Sequence, residues 1–200
     1  IVVTAQRRDE NLQDVPLSVT AITADSLAKN DIRDLSRVEV LTPGFSFGKS
    51  GSDARPAIRG VRTENVSVSG DPTIGYFVDN VYRSRASMAN EPFVDVARVE
   101  VQRGPQGTLY GRNALAGAVN LITAKPSGEA GGRAELTYGS FNDRKVRAVL
   151  NLPRMGIFSA KISGQYEKRD GLIKIVPNPI PGIFTALPNK VDRADSLNSG

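Results

Sequence analysis

The chain has 200 residues, of which 40% are hydrophobic and 24% are charged, and its formal net charge is +5. It contains neither cysteine nor histidine. Their absence excludes disulfides, Ser-His-Asp and Cys-His catalysis and the usual zinc sites. The basic excess lies mostly in residues 127–200, which carry 11 basic and 7 acidic side chains. These charges are dispersed and lack interleaved aromatic residues, so the composition does not indicate a nucleic-acid partner.

Short strands and helices are predicted for the first part of the chain. The β-branched stretch 1–5 predicts a short strand, and the charged residues after it predict a solvated linker. Leu17–Ile22 is predicted to be extended. Thr23 is a suitable N-cap for a short helix, and a second short helix is predicted for Asp34–Val40. Such a mixture of short elements is typical of a compact α+β domain.

A β-hairpin is predicted next. Ile74–Val78 alternates in polarity, Asp79-Asn80 provides turn residues that tolerate the left-handed conformation, and Val81–Arg83 returns. Two more strands are predicted, at Val99–Val101 and at Val119–Thr123. The first domain is therefore expected to contain a small sheet.

The glycine-rich stretch Gly104–Gly111 does not match a phosphate-binding loop. Such a loop requires Lys and then Ser or Thr directly after its last glycine, whereas Arg112 and Asn113 follow here. We therefore interpret the stretch as a series of tight turns. The carboxylates of Glu100 and Asp79 are interpreted as solvated or turn-forming, because no histidine or metal-ligand spacing accompanies them.

After Pro126 the pattern changes to strict alternation. Three successive segments of about ten residues each have one apolar and one polar face, a pattern typical of transmembrane β-strands. The apolar faces are Ala134, Leu136 and Tyr138, then Val146, Ala148, Leu150 and Leu152, then Phe158, Ala160, Ile162 and Tyr166. A soluble sheet with one wet face gives the same alternation, and periodicity alone favours it. A Pro-rich loop is predicted for 168–191. Three strands with an exposed edge are not a stable end product, so the sequence is expected to be a fragment.

Several motifs, taken together, resemble the plug domain of TonB-dependent outer-membrane receptors. They are Ile58-Arg59-Gly60, Phe77-Val78-Asp79-Asn80-Val81, Val99-Glu100-Val101-Gln102-Arg103-Gly104-Pro105, Leu109-Tyr110-Gly111, and Gly117-Ala118-Val119-Asn120-Leu121-Ile122-Thr123. Asn80 and Ala118 stand where the family more often has glycine. Asn can form the same turn and Ala is similarly small, so both departures are minor. The resemblance covers nearly all of residues 1–167.

The resemblance implies an α+β plug domain followed by antiparallel transmembrane β-barrel strands, with the barrel incomplete in this chain. It divides the sequence into a TonB box and linker (1–14), the plug domain (15–126), and the first strands and loops of the outer-membrane β-barrel (127–200). Plugged transporters of this kind have about 22 strands. The expected location is the bacterial outer membrane, with lipid as the neighbour of the strands.

The function implied by the resemblance is TonB-dependent active transport of a scarce substrate, with no catalysis and no cofactor. The expected partners are the periplasmic domain of TonB with its inner-membrane energising complex, and a small molecule. The expected cargo is a ferric siderophore, an iron chelate; cobalamin, sugars and plant-derived compounds are alternatives. A soluble periplasmic plug-like binding or signalling module is the alternative function, and it requires 127–200 to form a closed soluble sheet.

Site residues also follow from the resemblance. The TonB box is Ile1, Val2, Val3, Thr4 and Ala5, expected to pair with TonB as an added strand. Arg59 and Arg103 match the two plug arginines that lock the plug to carboxylates of the barrel wall, a role that suits the guanidinium fork. Tyr82, Arg83 and Arg85 are expected to face the substrate. The alternatives are a frayed strand, water-facing or turn-capping arginines, and a polar surface loop.

Overall fold

The computed structural model describes residues 1–4, 8, 10–51, 53–64 and 70–171. The chain divides into two compact units, Ile1–Lys125 and Pro126–Gly200. Within the described residues, no helix is both long enough and apolar enough to cross a membrane. Almost all of the predicted loop at 168–191 lies outside the described residues, as does Ala5 of the predicted TonB box.

The first unit consists of short strands and short helices, as predicted. Its strands are β1 (Val2–Val3), β2 (Glu10–Asn11), β3 (Ser18–Thr23), β4 (Phe45–Ser50), β5 (Asp53–Ile58), β6 (Val61–Arg62), β7 (Ile74–Val78), β8 (Val81–Tyr82), β9 (Val96–Arg103) and β10 (Gly117–Thr123). Its helices are α1 (Ala24–Lys29), a first 3-10 helix (Leu35–Leu41), a second 3-10 helix (Ala86–Asn90) and α2 (Gly107–Tyr110). The second predicted helix is thus a 3-10 helix, and part of the predicted linker pairs as β2.

Side-chain caps explain where the first two helices begin. The Thr23 hydroxyl accepts a hydrogen bond from the backbone N–H of Ser26 (3.4 Å), which satisfies one free donor of α1. The Asp34 carboxylate accepts from the N–H of Ser36 (2.9 Å) at the start of the first 3-10 helix. Both predicted helix starts are therefore explained by residues directly before them.

A five-stranded sheet in the order β3-β9-β10-β7-β8 organises the first unit. Neighbouring strands are antiparallel except for β10 and β7, which are parallel. One face of the sheet carries the main core, together with α1, the two 3-10 helices and strands β4 and β5. From the sheet this core receives Ile22, Ile74, Tyr76, Val99, Val101, Val119 and Leu121. This face matches the apolar half of the predicted strand alternation.

The second face of the same sheet is also buried, and several of its side chains are polar. Because side chains alternate along a strand, the residues between the core positions point to this side. They include Val19, Ala21, Phe77, Glu100, Gln102, Ala118 and Asn120. Glu100, Gln102 and Asn120 are completely buried, so this face must provide them with hydrogen-bond partners.

The predicted hairpin forms from β7 and β8, with Phe77 opposite Tyr82 and Val78 opposite Val81. Its turn residues Asp79 and Asn80 have φ angles of +49° and +65°. A two-residue turn with both φ angles positive has the type I′ geometry that matches the twist of hairpin strands. These φ angles confirm the interpretation of Asp79 as a turn residue. The Asp79 carboxylate also accepts hydrogen bonds from the backbone N–H and the hydroxyl of Thr123 (2.9 and 2.8 Å).

The second unit contains an antiparallel sheet of three strands, β11 (Gly131–Gly139), β12 (Asp143–Asn151) and β13 (Lys161–Lys168). Its apolar face is continuous, because Leu136 lies opposite Val146, and Val146 lies opposite Tyr166. The side chains of that face are exposed; Leu136 is 79% exposed and Tyr166 53%. The polar face is the more shielded one. There Lys145 lies 2.8 Å from the Glu167 carboxylate.

Candidate functional site

A buried carboxylate lies beneath the N-terminal segment. Glu100 is on strand β9, which lies between β3 and β10, and its side chain is completely inaccessible to solvent. Its Oε1 lies 2.7 Å from Nε of Arg98, which is two residues earlier on the same face. A buried charge requires a counter-ion and hydrogen bonds to offset its desolvation. The interpretation of Glu100 as solvated or turn-forming is therefore wrong.

Another partner of this carboxylate is Thr4, in the predicted TonB box. The backbone N–H of Thr4 donates to Glu100 Oε1 (2.8 Å), and the Thr4 hydroxyl lies 3.2 Å from both carboxylate oxygens. The carbonyl of Thr4 accepts a hydrogen bond from the hydroxyl of Tyr110 (3.3 Å), which in turn accepts from the Gln102 side-chain amide (2.7 Å). Residues about 100 positions apart thus form one polar cluster.

Apolar packing fixes the same segment. Val3 is completely buried and forms a small core with Val15, to which Leu12, Leu17, Val19 and Ala21 contribute. Strand β1 pairs with β2, and the Ile1 carbonyl accepts from the N–H of Leu12 (3.0 Å). Ile1 and Val2 point outward and are 61% and 55% exposed. Among residues 1–4 of the predicted box, Val2–Val3 forms a docked strand and the Val3 side chain is buried. The role of the box in TonB binding stays a prediction.

An aromatic cluster adjoins the polar cluster. The ring centroid of Tyr110 lies 4.9 Å from that of Phe77, which lies 5.4 Å from that of Tyr82. A side chain at Gly75 would place its Cβ 2.6 Å from the Phe77 ring, so only glycine permits this ring position. The Tyr82 hydroxyl accepts from the amide of Asn113 (2.7 Å). Tyr82 is thereby held against the plug rather than extended into solvent.

The other two predicted substrate-facing residues differ in their surroundings. Arg83 is half-buried, and its backbone N–H donates to the carbonyl of Tyr76 (2.8 Å). Arg85 is exposed and directly precedes the second 3-10 helix. Tyr82, Arg83 and Arg85 follow one another along a short stretch after the hairpin, but their contact with substrate stays a prediction.

The two predicted lock arginines are attached to one turn. The backbone N–H of Arg59 donates to the carbonyl of Gly44 (2.7 Å), and Nη1 of Arg103 donates to the carbonyl of Pro43 (3.0 Å). Arg59 is exposed and has a φ angle of +52°, which is unfavourable for a residue with a Cβ. Nε of Arg103 is buried and has no hydrogen-bond acceptor within the described part of the chain. The fold therefore brings together two arginines that lie 44 residues apart in sequence.

Tyr76 carries the large pKa shift of this unit. Burial raises the pKa of its phenol to about 12, the charge of Glu91 adds to the increase, and Arg83 opposes it. On the exposed side of the plug, the hydrogen bond and charge of Arg62 lower the pKa of Glu64. Neither shift adjoins the polar cluster around Thr4. Among the described residues there is no group of His, Cys, Asp and Glu that could hold a metal ion.

Glu100, Tyr110 and Gln102 are the residues of this site that sequence reasoning missed. The available signal was the alternation of β9, which places Glu100 and Gln102 on the face opposite Val99 and Val101. The interpretation of Glu100 as solvated or turn-forming leaves no covering for that position. The covering segment lies 96 residues away from Glu100, and local pattern carries no information about such a contact.

Comparison with known families identifies the class of protein to which this fold belongs. Residues 11–118 match the family described as TonB-dependent Receptor Plug Domain, which is more than half of the chain. The chain therefore belongs to this family of outer-membrane receptors, as its motifs predicted. The predicted fold class, an α+β plug followed by antiparallel strands, is also confirmed.

Curated relatives extend the match beyond the plug. The chain is 35% identical to the ferrienterobactin receptor of Escherichia coli (strain K12) over 190 residues, 84% of this chain and 25% of that receptor. It is 30% identical to the vitamin B12 transporter BtuB of Vibrio vulnificus (strain CMCP6), over 86% of this chain and 28% of the transporter. The chain thus spans about a quarter of the length of these relatives. The expected outer-membrane location is confirmed by relatives of this kind.

Solved structures share the fold. The ferric yersiniabactin uptake receptor FyuA from Yersinia pestis superposes with a TM-score of 0.64 at 24% identity, over 78% of this chain and 25% of that one. The pyoverdine receptor FpvA from Pseudomonas aeruginosa PAO1 superposes with a TM-score of 0.72 at 19% identity, over 86% and 25% respectively. At these identities the likeness establishes the fold alone.

Proposed function

We propose that this chain provides the coupling segment, the plug and the first barrel strands of a TonB-dependent transporter that takes up a ferric siderophore. The observation that carries the proposal is the match of the plug to receptors of this kind, joined to a strand-forming N-terminal segment. Residues 1–14 are the TonB box and linker, 15–126 the plug, and 127–200 barrel strands and loops. The protein would work by conformational change, with no chemical step.

The N-terminal segment suits an added-strand partner. Its main chain already forms β-pairs, and its outward side chains Ile1 and Val2 are β-branched and exposed. Strand addition depends on main-chain hydrogen bonds and needs few specific side chains. In our proposal the periplasmic domain of TonB replaces β2 as the pairing partner of this segment. The inner-membrane complex then supplies the energy that moves the plug.

Two observations support a lock between the plug arginines and barrel carboxylates. Arg59 keeps a left-handed conformation that costs roughly 1–2 kcal/mol for a residue with a Cβ, and glycine would remove that cost. A strained, exposed arginine is a reasonable starting point for a functional hypothesis. Within the described residues, the buried Nε of Arg103 has no hydrogen-bond acceptor, so this N–H could donate to a carboxylate.

The substrate class is inferred from relatives whose names include both ferrienterobactin and vitamin B12 receptors. We favour an iron chelate, and Tyr82, Arg83 and Arg85 are our candidates for contact with it. Basic side chains suit an anionic chelate. The soluble-module alternative is not favoured, since the apolar face of the second unit is exposed, whereas a closed soluble sheet would bury it.

The test compares Val2→Pro with Val2→Thr in the full-length receptor. Val2 is suitable because its side chain is exposed, whereas a proline at the buried Val3 would also disturb packing. Proline removes one backbone N–H, and threonine keeps both the N–H and the β-branched shape. We expect Val2→Pro to abolish capture by a TonB periplasmic domain and Val2→Thr to retain it.

Uptake provides the second measurement. Cells that depend on this receptor are given radiolabelled ferric enterobactin or radiolabelled cobalamin. We expect uptake of the iron chelate to be lost with Val2→Pro and retained with Val2→Thr. Equal capture of TonB by both variants would contradict the box assignment. Uptake of cobalamin without uptake of ferric enterobactin would contradict the iron chelate as the cargo and would favour cobalamin.

A further inference from the structure

The two main-chain polar groups of Thr4 are already in use within the plug. Its N–H donates to Glu100 Oε1 at 2.8 Å, and its carbonyl accepts from the Tyr110 hydroxyl at 3.3 Å. At the other end of the segment, the Ile1 carbonyl accepts from Leu12. An added strand would need main-chain groups of this same stretch. The docked segment therefore cannot pair with a partner along its full length.

We propose that Glu100 and Tyr110 are positioning residues of the coupling segment, and that they hold it in a docked form that cannot accept an added strand. The inference rests on the proposed function and names the side chains that control access to it. Breaking the bonds to Thr4 precedes partner binding, so these two residues set the fraction of molecules that are ready to bind.

The position of Glu100 within the sheet explains why, in this proposal, residues 1–4 are released while the Glu100 carboxylate stays in place. Strand β9 lies between β3 and β10 and is hydrogen-bonded to both. Arg98 stays beside the carboxylate as its counter-ion. Thr4, in contrast, directly follows β1, a strand of two residues that pairs, within the described part of the chain, with another strand of two residues. Release therefore costs the few bonds around Thr4 and the packing of Val3.

Tyr110 contributes an uncharged hydrogen bond to Thr4, in addition to the bond with the charged Glu100. Its hydroxyl joins Thr4 to the completely buried Gln102, while its ring packs against Phe77. The hydroxyl and the ring therefore have separable functions. Tyr110→Phe removes the hydroxyl, and with it the hydrogen bonds to Thr4 and Gln102, but keeps the aromatic cluster.

The experiment measures how mobile the segment is in the full-length receptor without TonB. A nitroxide on Val2→Cys is suitable because these 200 residues contain no cysteine and Val2 is 55% exposed. Electron paramagnetic resonance then gives the ratio of mobile to docked segment. Hydrogen bonds to charged groups are stronger than neutral ones, so we expect Glu100→Gln to raise this ratio about tenfold or more and Tyr110→Phe a few-fold.

Tyr82→Phe is the matched control. It deletes the same atom within the same aromatic cluster, but that hydroxyl is bonded to Asn113 and not to Thr4. We expect the label to report no change for Tyr82→Phe. Thr4→Pro removes the donor to Glu100 without altering the plug, and it tests the same bond should Glu100→Gln fail to fold.

Unchanged mobility in both Tyr110→Phe and Thr4→Pro, with an unchanged thermal unfolding midpoint, would overturn the proposal. An increase in both variants but not in Tyr82→Phe supports it. The result is independent of the TonB capture test. A mobile Tyr110→Phe variant that fails to bind TonB would leave the docking residues established and contradict the coupling function instead, because this substitution leaves the main chain of the box intact.

Discussion

At the scale of single residues, Glu100 shows that a side chain's role depends on what covers it. A carboxylate on a β-strand is usually solvated, but this one is completely buried and accepts hydrogen bonds from Arg98 and Thr4. Removing one partner from a buried charge costs more than losing an exposed ion pair. The segment that carries Thr4 is therefore held by an unusually strong local contact for so short a strand.

Tyr76 allows a prediction about pH at the same scale. Its pKa in the fold is about 12 and that of an ordinary tyrosine is 10.0, so the folded protein keeps a proton that the unfolded chain has lost. The stabilisation is complete below pH 10 and is lost as pH rises through 12. We expect the free energy of unfolding to fall by about 1.4 kcal/mol per pH unit in this window because of Tyr76.

Urea unfolding of the protein and of Tyr76→Phe at several pH values checks this prediction. The phenylalanine variant keeps the ring and lacks the titrating group, so the difference between the two proteins isolates Tyr76. Curves that stay parallel from pH 9.5 to 12 would show that the phenol is not protected as its burial requires.

At the scale of elements, β12 is a strand with two different faces. Leu150 is 49% exposed on the apolar face, whereas its neighbour Val149 lies on the shielded polar face. Cross-strand ion pairs occur on that polar face, where Lys145 contacts Glu167 and Arg147 lies 4.0 Å from Glu135. This pattern is the reverse of a soluble sheet, in which the apolar face is shielded.

Leu150→Arg and Val149→Arg test which face meets lipid. An arginine that faces lipid costs about 2–4 kcal/mol at the bilayer midplane, while one that faces the barrel interior is tolerated. We expect Leu150→Arg to lower the amount of receptor assembled in the outer membrane, and Val149→Arg to leave it nearly unchanged. Heat-modifiable gel mobility of the outer-membrane fraction measures assembly, and equal losses in both variants would contradict the assignment of faces.

At the scale of the whole molecule, the proposed transporter must stay closed until it is energised. The lock arginines serve this purpose in our proposal, and Arg59 permits a clean test. Glycine suits its positive φ angle, so Arg59→Gly relieves strain while it removes the guanidinium. We expect the free energy of unfolding to change by no more than about 1 kcal/mol. The outer membrane should nevertheless become several-fold more permeable to large antibiotics.

Antibiotic sensitivity of cells that carry each variant measures this permeability. Arg62→Gln is the control, because Arg62 is another exposed arginine close by that pairs with Glu64. Equal sensitivity of the two variants would argue that Arg59 serves the turn alone.

Local chemistry made much of this fold predictable. Asp79 and Asn80 marked the hairpin turn because both tolerate positive φ, and Thr23 marked a helix start because its oxygen can cap a free N–H group. The second helix was predicted from Asp34, and in the structure the Asp34 carboxylate caps it. The strands of the second unit followed from their two-residue period. In each case the determining groups lie within a few residues of one another.

The polar cluster under Thr4 could not be predicted in this way. Its geometry depends on the order β3-β9-β10 and on the return of residues 1–4 across the second face of the sheet. A glutamate at position 100 is compatible with a strand face that is exposed to water and with one that is covered. Only the tertiary contact with residues 1–4 determines that this face is covered. The roles of Arg59 and Arg103 came from family resemblance, since nothing in their local sequence distinguishes them from other arginines.

The pairing of β1 with β2 has a mechanical consequence. The strands are antiparallel, with Val2 opposite Asn11 and Val3 opposite Glu10, so Ile1 and Leu12 meet at the open end of the pair. Tension applied at Ile1 therefore loads these hydrogen bonds one after another, as in unzipping, instead of all together, as in shear. Ile1 and Val2 should peel away at low force, and the resistance should rise abruptly where Val3 and Thr4 must leave their buried contacts.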